Sequence, residues 1–332
     1  MTVQIKESLL DLNVRNKIYE QDYKFIRNMK PCNREDYLGL LEAHYNLKIV
    51  PPFPLKITLE ASNYCNLKCP MCPREWMTRT QQHMELKLAE KIIGEISDNG
   101  GIYYLAFQRH GEPLLNPHLA EMVRMASDAG NINVVSCITN GILLTPERAR
   151  ALMAAGLTTL GISFDAVTEE DYAVYRNNGN NYSRVIENIK TLGEIKRAEG
   201  FQTYTYINAM TQKTDEETRK RFIDEMSQYV DRVDVYEPKP FVENQDIFGE
   251  GKVHAPEYPC PQVWRHIIVL SDGTASLCCI DPNGDLSVGN LYHDRIVYVW
   301  DGDKARGMRA KHIQCDINDM EPCLHCPGDE RR

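Results

Sequence analysis

Between residues 55 and 236 strand-like and helix-like segments alternate six times, and this alternation predicts an α/β fold whose parallel strands are joined by right-handed crossovers. Six such units make a partial (β/α)6 barrel of the TIM type. Two further observations bound it. Residues 237–259 hold four prolines and two glycines with little periodicity, which ends the alternation. Beyond them, a β-hairpin pattern and an apolar helix pattern lead into a cysteine-rich tail, so a small second domain is expected. The expected division is a helical N-terminal extension (1–54), a barrel (55–240) and a linker with a small C-terminal domain (241–332).

The elements follow in order. Residues 9–29 and 35–45 have helix-compatible apolar spacing, and Pro51, Pro52 and Pro54 stop any helix after them. This preface is too short for an independent peptide-binding domain. It reads as a cover over the barrel, with Cys32 a structural thiol. Strand one is expected at 55–61 and a helix at 86–97. Strand two, 102–108, runs into Arg109-His110-Gly111-Glu112-Pro113, and a helix follows at 117–129. Strand three, 133–139, ends in Thr139-Asn140-Gly141 before a helix at 146–155. Strand four, 159–164, ends in Asp165, and a split helical region carries the chain through 176–197. Strand five at 202–209, a helix at 215–229 and strand six at 232–236 complete the barrel. In the tail, 264–270 and 274–280 flank Ser271-Asp272-Gly273 as a hairpin, and a helix is expected at 295–312.

Composition excludes several function classes. Of 332 residues, 38 are Lys or Arg and 47 Asp or Glu, a net charge of -9 that offers no electrostatic footprint for nucleic acid. Residues 1–10 carry no signal-peptide apolar run, and no stretch reaches the roughly 18 apolar residues of a membrane span, so a cytoplasmic protein is expected. Eleven cysteines in a reducing compartment speak for metal-binding or catalytic thiols before disulfides.

The most informative stretch is 63–74, N-Y-C-N-L-K-C-P-M-C-P-R, which leaves the carboxyl end of strand one. It places Cys65, Cys69 and Cys72 in one loop at C-x3-C-x2-C spacing. Three thiolates so close call for a metal, an iron-sulfur cluster or zinc. With only three local ligands, a four-iron cluster keeps one iron open. The spacing resembles the radical S-adenosylmethionine (SAM) superfamily. The resemblance implies a [4Fe-4S] cluster whose open iron chelates SAM, and reductive cleavage to a 5′-deoxyadenosyl radical. It also implies further SAM contacts: Gly111-Glu112-Pro113 as the G-E-P turn for the methionyl ammonium, and Asn140, Ser163 and Asp165 for the ribose and methionyl parts. Arg176 stands where a carboxylate clamp is often found, and Met71 lies beside the adenine. A turn, a solvated helix face and a packing methionine are the alternatives for Gly111-Glu112-Pro113, Arg176 and Met71.

The tail carries a second set, Cys260, Cys278, Cys323 and Cys326, in which two pairs of thiolates can close a tetrahedral site or hold a second cluster. The Gly273 to Cys278 spacing, G-x4-C, is similar to that of the SPASM/twitch extension of radical SAM enzymes. Because no cysteine follows Cys326, the resemblance is to the shorter, one-cluster twitch type, and it implies a second, auxiliary [4Fe-4S] cluster. A zinc ribbon is the alternative. Cys278 and Cys279 point to opposite faces if they continue a strand; the family spacing favours Cys278. Cys315 is the spare thiol.

Substrate-handling candidates are Arg109 and His110 beside the G-E-P turn, Tyr204 and Tyr206 on one face of strand five, and Glu237 and Lys239 after strand six. Cys137, near the end of strand three, is either a hydrogen-atom donor or a core thiol. The tail spacing resembles the 2-deoxy-scyllo-inosamine dehydrogenases and related sugar- and aminoglycoside-modifying members. That resemblance implies oxidation of an alcohol of a sugar, aminoglycoside or cyclitol, with the auxiliary cluster accepting an electron and a flavodoxin- or ferredoxin-type protein as reductant. An epimerase, a decarboxylase and a peptide-modifying maturase are the enzymatic alternatives. A non-catalytic metal-binding module is the alternative of another class.

Overall fold

The structure, a computed structural model, describes residues 50, 52–177, 179–211, 214–236, 260–314, 316–324 and 326. The expected N-terminal helices, the linker at 237–259 and the candidates Cys32, Glu237, Lys239 and Cys315 lie outside the described residues.

Six parallel strands form the core of the sheet: β1 Lys56–Leu59, β2 Ile102–Phe107, β3 Ile132–Thr139, β4 Thr159–Ser163, β5 Tyr204–Met210 and β6 Arg232–Tyr236. Between them run α1 Leu86–Asp98, α2 Leu119–Asp128, α3 Pro146–Ala154, the pair α4 Glu169–Arg176 and α5 Tyr182–Glu199, and α6 Glu216–Met226. The strands alternate as the pleat requires. In β1, Ile57 and Leu59 are fully buried in the apolar core under the helices, while Lys56 and Thr58 point to the barrel interior. The helices answer with apolar stripes. Leu88, Ala89, Ile92, Ile93 and Ile96 make one buried face of α1, at the i, i+4, i+8 spacing that one helix side repeats. Among the described residues no helix is long and apolar enough to cross a membrane.

The tail carries the expected hairpin but builds it onto the barrel. β7 His266–Val269 pairs in parallel with β1, and β8 Thr274–Ser276 and β9 Ser287–Asn290 follow antiparallel, giving the sheet order β6-β5-β4-β3-β2-β1-β7-β8-β9. Lys56 is therefore in register with Tyr104 on one side and with His266 on the other. β9 was not expected, because Ser287–Asn290 is short and lacks β-branched enrichment. The expected single helix at 295–312 is two, α7 Ile296–Trp300 and α8 Asp303–Gln314. The break falls at Gly302, where a Cβ would meet the Tyr298 carbonyl at 2.5 Å, so only glycine lets the chain turn that tightly. Buried Trp300 joins the two helices through Arg309, whose guanidinium lies 4.4 Å from the ring centroid. A last short helix, α9 Glu321–Leu324, carries Cys323.

Candidate active site

The loop after β1 is stapled by its own side chains. Buried Asn63 accepts from Gln82 N through Oδ1 at 2.6 Å and donates to the Thr80 carbonyl at 2.9 Å. Arg74, at the far end, donates through Nη2 to the Asn63 carbonyl at 3.1 Å and through Nη1 to the Leu67 carbonyl at 3.4 Å. The three cysteines lie between these ties. Cys72 N donates to Cys69 O at 3.0 Å, closing the C-x2-C turn, and Pro73 then opens a short 3₁₀ turn. Burial pushes the Cys65 thiol up to about 11 and raises Cys72 as well, with backbone N–H groups at Leu67 and Arg74 opposing the rise.

The G-E-P turn packs against this loop. A Cβ on Gly111 would stand 2.0 Å from the Ser62 carbonyl and 2.6 Å from that of Tyr64, so a side chain there would push the two loops apart. Glu112 N donates to the Tyr64 carbonyl at 2.7 Å. The buried Glu112 carboxylate accepts from Leu114 N at 3.0 Å, Thr139 Oγ1 at 2.7 Å and Asn140 N at 2.8 Å. Burial raises its pKa and these donors oppose the rise. Glu112 thus ties the end of β2 to the end of β3, and fixes Asn140, whose Nδ2 donates to Asn66 Oδ1 at 2.7 Å and stands 3.9 Å from Cys65 Sγ.

At the end of β4, Asp165 adopts a left-handed backbone (φ 55°). Its carboxylate accepts from Ser163 Oγ at 3.2 Å and pairs with Arg176 Nη2 at 2.7 Å. Helix α4 brings Arg176 there: a capping box between Thr168 and Asp171 starts the helix, and Asn177 ends it with a left-handed backbone (φ 49°). Arg176 is buried, not on a solvated face. It also donates to the Ser163 and Phe164 carbonyls and, through Nη1, to Cys69 Sγ at 3.5 Å. Burial works against its charge, but the Asp165 carboxylate and Cys69 outweigh it and raise the pKa. Met71 packs with Tyr175 and Met210 beside Cys69.

These residues line one side of a cavity of about 1190 Å³, a side that holds Cys65, Cys69, Cys72, Met71, Gly111, Glu112, Asn140, Ser163, Asp165 and Arg176. The lining also includes Lys56, Gln108, Arg109, His110, His266 and Cys279. Arg109 donates through Nη1 to the Cys279 carbonyl, while its buried Nε and Nη2 have no hydrogen-bond partner among the described residues. His110 Nε2 and His266 Nδ1 are likewise buried without a hydrogen-bond partner among the described residues, and His266 Nε2 meets Thr58 Oγ1 at 2.8 Å. Burial, with the nearby cations Arg109 and Arg79 for His110 and Lys56 and Arg109 for His266, holds both imidazoles well below their ordinary range. Burial also lowers Lys56, opposed by Cys279 and reinforced by Arg109.

Behind Cys279 the tail cysteines converge. Cys323 senses Cys260, Cys326 and Cys279 as electrostatic neighbours, and burial pushes its thiol up to about 12. Half-buried Cys278 is raised well above the ordinary range by desolvation, with Cys279 and Cys323 adding to the rise. β8 stops at Ser276, short of the expected 280, so strand alternation does not assign Cys278 and Cys279 to opposite faces. His312 was missed by the sequence reading. It lies buried among these thiols, accepting from Cys260 N at Nδ1 (3.4 Å) with Nε2 3.9 Å from Cys323 Sγ. No spacing rule marks a lone histidine in a helix.

Other candidates fall elsewhere. Tyr204 stands at the amino end of β5, 41% exposed and outside the cavity lining, whereas the cavity residues gather at the carboxyl ends of the strands. Tyr206 packs against Gly161 and lies under Arg232, 5.2 Å from its ring. Cys137 is fully buried in the apolar core with Phe107 and Leu160, on the β3 face turned to the helices, so it does not reach the cavity. Lys56 and His266 were also missed. Alternation of Lys56, Thr58 and Glu60 with apolar residues was a signal for the former, but the strand pairing that brings in His266 was not written in either segment.

The donor sets fit iron-sulfur clusters. The three loop thiols share one cavity wall, and N–H donors of Asn140 and Arg176 are aimed at two of the sulfurs, as cluster thiolates require. Among the described residues no three such side chains are gathered closely enough to hold a single ion. The cavity also has room for more than one small ligand.

Comparison with known proteins agrees with this geometry. The Radical SAM superfamily matches residues 59–222, and the SPASM iron-sulfur cluster-binding domain matches residues 260–327. The antilisterial bacteriocin subtilosin biosynthesis protein AlbA of Bacillus subtilis is 24% identical over 267 residues, 73% of this chain and 58% of AlbA, so the chain spans little more than half of that relative. Among solved structures, BtrN in complex with AdoMet and 2-DOIA superposes with a TM-score of 0.55 at 17% identity, covering 82% of this chain and 92% of BtrN. SuiB of Streptococcus suis bound to precursor peptide SuiA gives 0.63 at 15% identity, covering 93% and 84%. At such identities these two likenesses speak for the fold alone.

Proposed function

The chain belongs to the radical SAM superfamily and carries a SPASM iron-sulfur domain, and from that premise we propose that it oxidises an alcohol of a small polar substrate to a carbonyl. The observation that supports this reading is the single cavity bounded on one side by Cys65, Cys69 and Cys72 and on the other by Cys279, in front of the tail cysteines. When bound, SAM at a [4Fe-4S] cluster on the loop thiols supplies hydrogen-atom abstraction at carbon, and an auxiliary cluster on Cys260, Cys278, Cys323 and Cys326 supplies a one-electron sink. The remaining work belongs to side chains. Glu112, Asn140, Ser163, Asp165 and Arg176 hold the polar parts of SAM, with Met71 beside the adenine. Leu67, Ile138 and Ile268 exclude water. His110 takes the hydroxyl proton at Nε2, a neutral nitrogen without another partner on the cavity lining. Arg109, next to it, orients the substrate. A flavodoxin- or ferredoxin-type reductant in a reducing compartment such as the cytoplasm supplies the first electron.

A peptide-modifying reaction is the second reading. It is favoured by the AlbA match over 73% of this chain and by the likeness to SuiB with its precursor peptide. The test is anaerobic turnover with polyhydroxy substrates in D2O, following 5′-deoxyadenosine and product mass. Oxidation gives a product two hydrogens lighter with no deuterium on the new carbonyl carbon. A product of unchanged oxidation level carrying one carbon-bound deuterium would replace oxidation with epimerisation.

A further inference from the structure

Beyond the SAM residues the cavity lining carries the cations Lys56 and Arg109 and buried nitrogens with no hydrogen-bond partner among the described residues, Arg109 Nε and Nη2 and His266 Nδ1, while the Lys56 ammonium lies 4.9 Å from the Tyr104 ring centroid. Lys56 from β1 and His266 from β7 are neighbours in register, and Arg109, which follows the far end of β2, lines the same cavity and acts electrostatically on both. Cys279 acts on both Lys56 and Arg109, and among the described residues the carboxylates that act on Arg109, Glu60 and Asp281, are engaged elsewhere. The buried Glu60 carboxylate accepts from Arg79 Nη2 at 2.9 Å through both oxygens and from Ser271 N at 2.9 Å. Asp281 is consumed by the backbone N–H groups of Gly284, Asp285 and Leu286 at 2.8, 3.0 and 2.9 Å. Of the carboxylates that line the cavity, Glu112 is held by Thr139, Asn140 and Leu114, Asp165 by Arg176 and Ser163, and Glu75 is exposed. Buried donors without acceptors are costly, and burying cations beside them compounds the cost. A bound anion would satisfy both at once.

We infer that Lys56, Arg109 and His266 bind an anionic group of the substrate, a carboxylate or a phosphate, and so orient it between the two cysteine sets. This rests on the oxidation reading for what happens next, but not for binding itself. It also narrows the substrate class: an amino sugar, cationic at neutral pH, meets like charge on this side and is disfavoured.

Four matched sugars test it: glucuronate, glucose 6-phosphate, glucose and glucosamine, each added to anaerobically reconstituted full-length protein with SAM while the melting temperature is read. Both or one of the anions raises the melting temperature above the glucose value, the two arms telling carboxylate from phosphate, and glucosamine gives no rise. In Lys56→Met the anion increment is lost while iron content stays at the wild-type level. Four results would overturn the inference: no increment with either anion, an equal increment with glucose, an equal increment with glucosamine, or an increment that survives in Lys56→Met. An altered auxiliary-cluster spectrum in Lys56→Met with anion preference intact would assign this side to the cluster instead. Turnover separates the two readings. A neutral sugar alone oxidised sinks the anion site and leaves oxidation standing. An anion bound but never made two hydrogens lighter does the reverse.

Discussion

The two sides of the cavity solve the problem of buried polar groups in opposite ways. On the side of Glu112, Asn140, Asp165 and Arg176, each charge has its partner within the chain: the Glu112 carboxylate takes three donors and Arg176 meets Asp165 at 2.7 Å. Around Lys56, Arg109, His110 and His266, ring and guanidinium nitrogens have no hydrogen-bond partner among the described residues. The first group is preorganised, its side chains already held in place by one another, which is what the proposed SAM contacts require. The second is held in an unsatisfied state that a ligand relieves. The same fold thus builds a rigid half and a waiting half from adjacent strands.

The contrast predicts opposite responses to truncation. Asp165→Ala leaves the buried Arg176 cation uncompensated and lowers stability by about 3–5 kcal/mol, read from chemical denaturation. An unchanged midpoint would mean that the pair is not the strut described. The histidines give the next largest effect. His110 and His266 have folded pKa values below the ordinary 6.5, so their stability contribution is complete above that pH and is lost as pH falls through it, by up to about 1.4 kcal/mol per unit for each. Arg109, Arg79, Arg74 and Lys56 are the charges around them, and all press in the same direction. A His110→Asn, His266→Asn double variant should flatten the fall in melting temperature between pH 7 and 5; an equally steep fall would place the titrating groups elsewhere. Smallest and opposite in sign, Lys56→Met in the ligand-free protein should gain about 1 kcal/mol, because it deletes a buried charge that no carboxylate pairs among the described residues and that has only the Tyr104 ring, 4.9 Å away, and Cys279 to offset its burial. A loss of stability would mean that the cation is already satisfied.

What the sequence disclosed follows from how local the signals are. The six-fold alternation is local, and the strands appear near their expected places; the C-x3-C-x2-C loop and the G-E-P turn are local too. Pairings between distant segments were illegible. Nothing in the 264–270 segment announces that β7 joins β1 in parallel, and so His266 beside Lys56 was invisible. His312 reaches Cys260 and Cys323 only because α8 folds back onto the tail. Tyr204 lies near the amino end of β5 in either reading, so its position along the strand, away from the carboxyl ends, already spoke against the cavity. Cys137 was visible as a cysteine near a strand end, but which face it took depended on the register of β3 with β2 and β4.

The central claim is that both cysteine sets serve one substrate in one cavity. The most direct measurement compares Cys69→Ala and Cys323→Ala after anaerobic reconstitution, recording iron, 5′-deoxyadenosine and oxidised product for each. The account predicts that Cys69→Ala makes neither 5′-deoxyadenosine nor product, while Cys323→Ala still forms 5′-deoxyadenosine without completing the oxidation. Full product from Cys323→Ala would contradict it, leaving the tail cysteines a structural role apart from the chemistry.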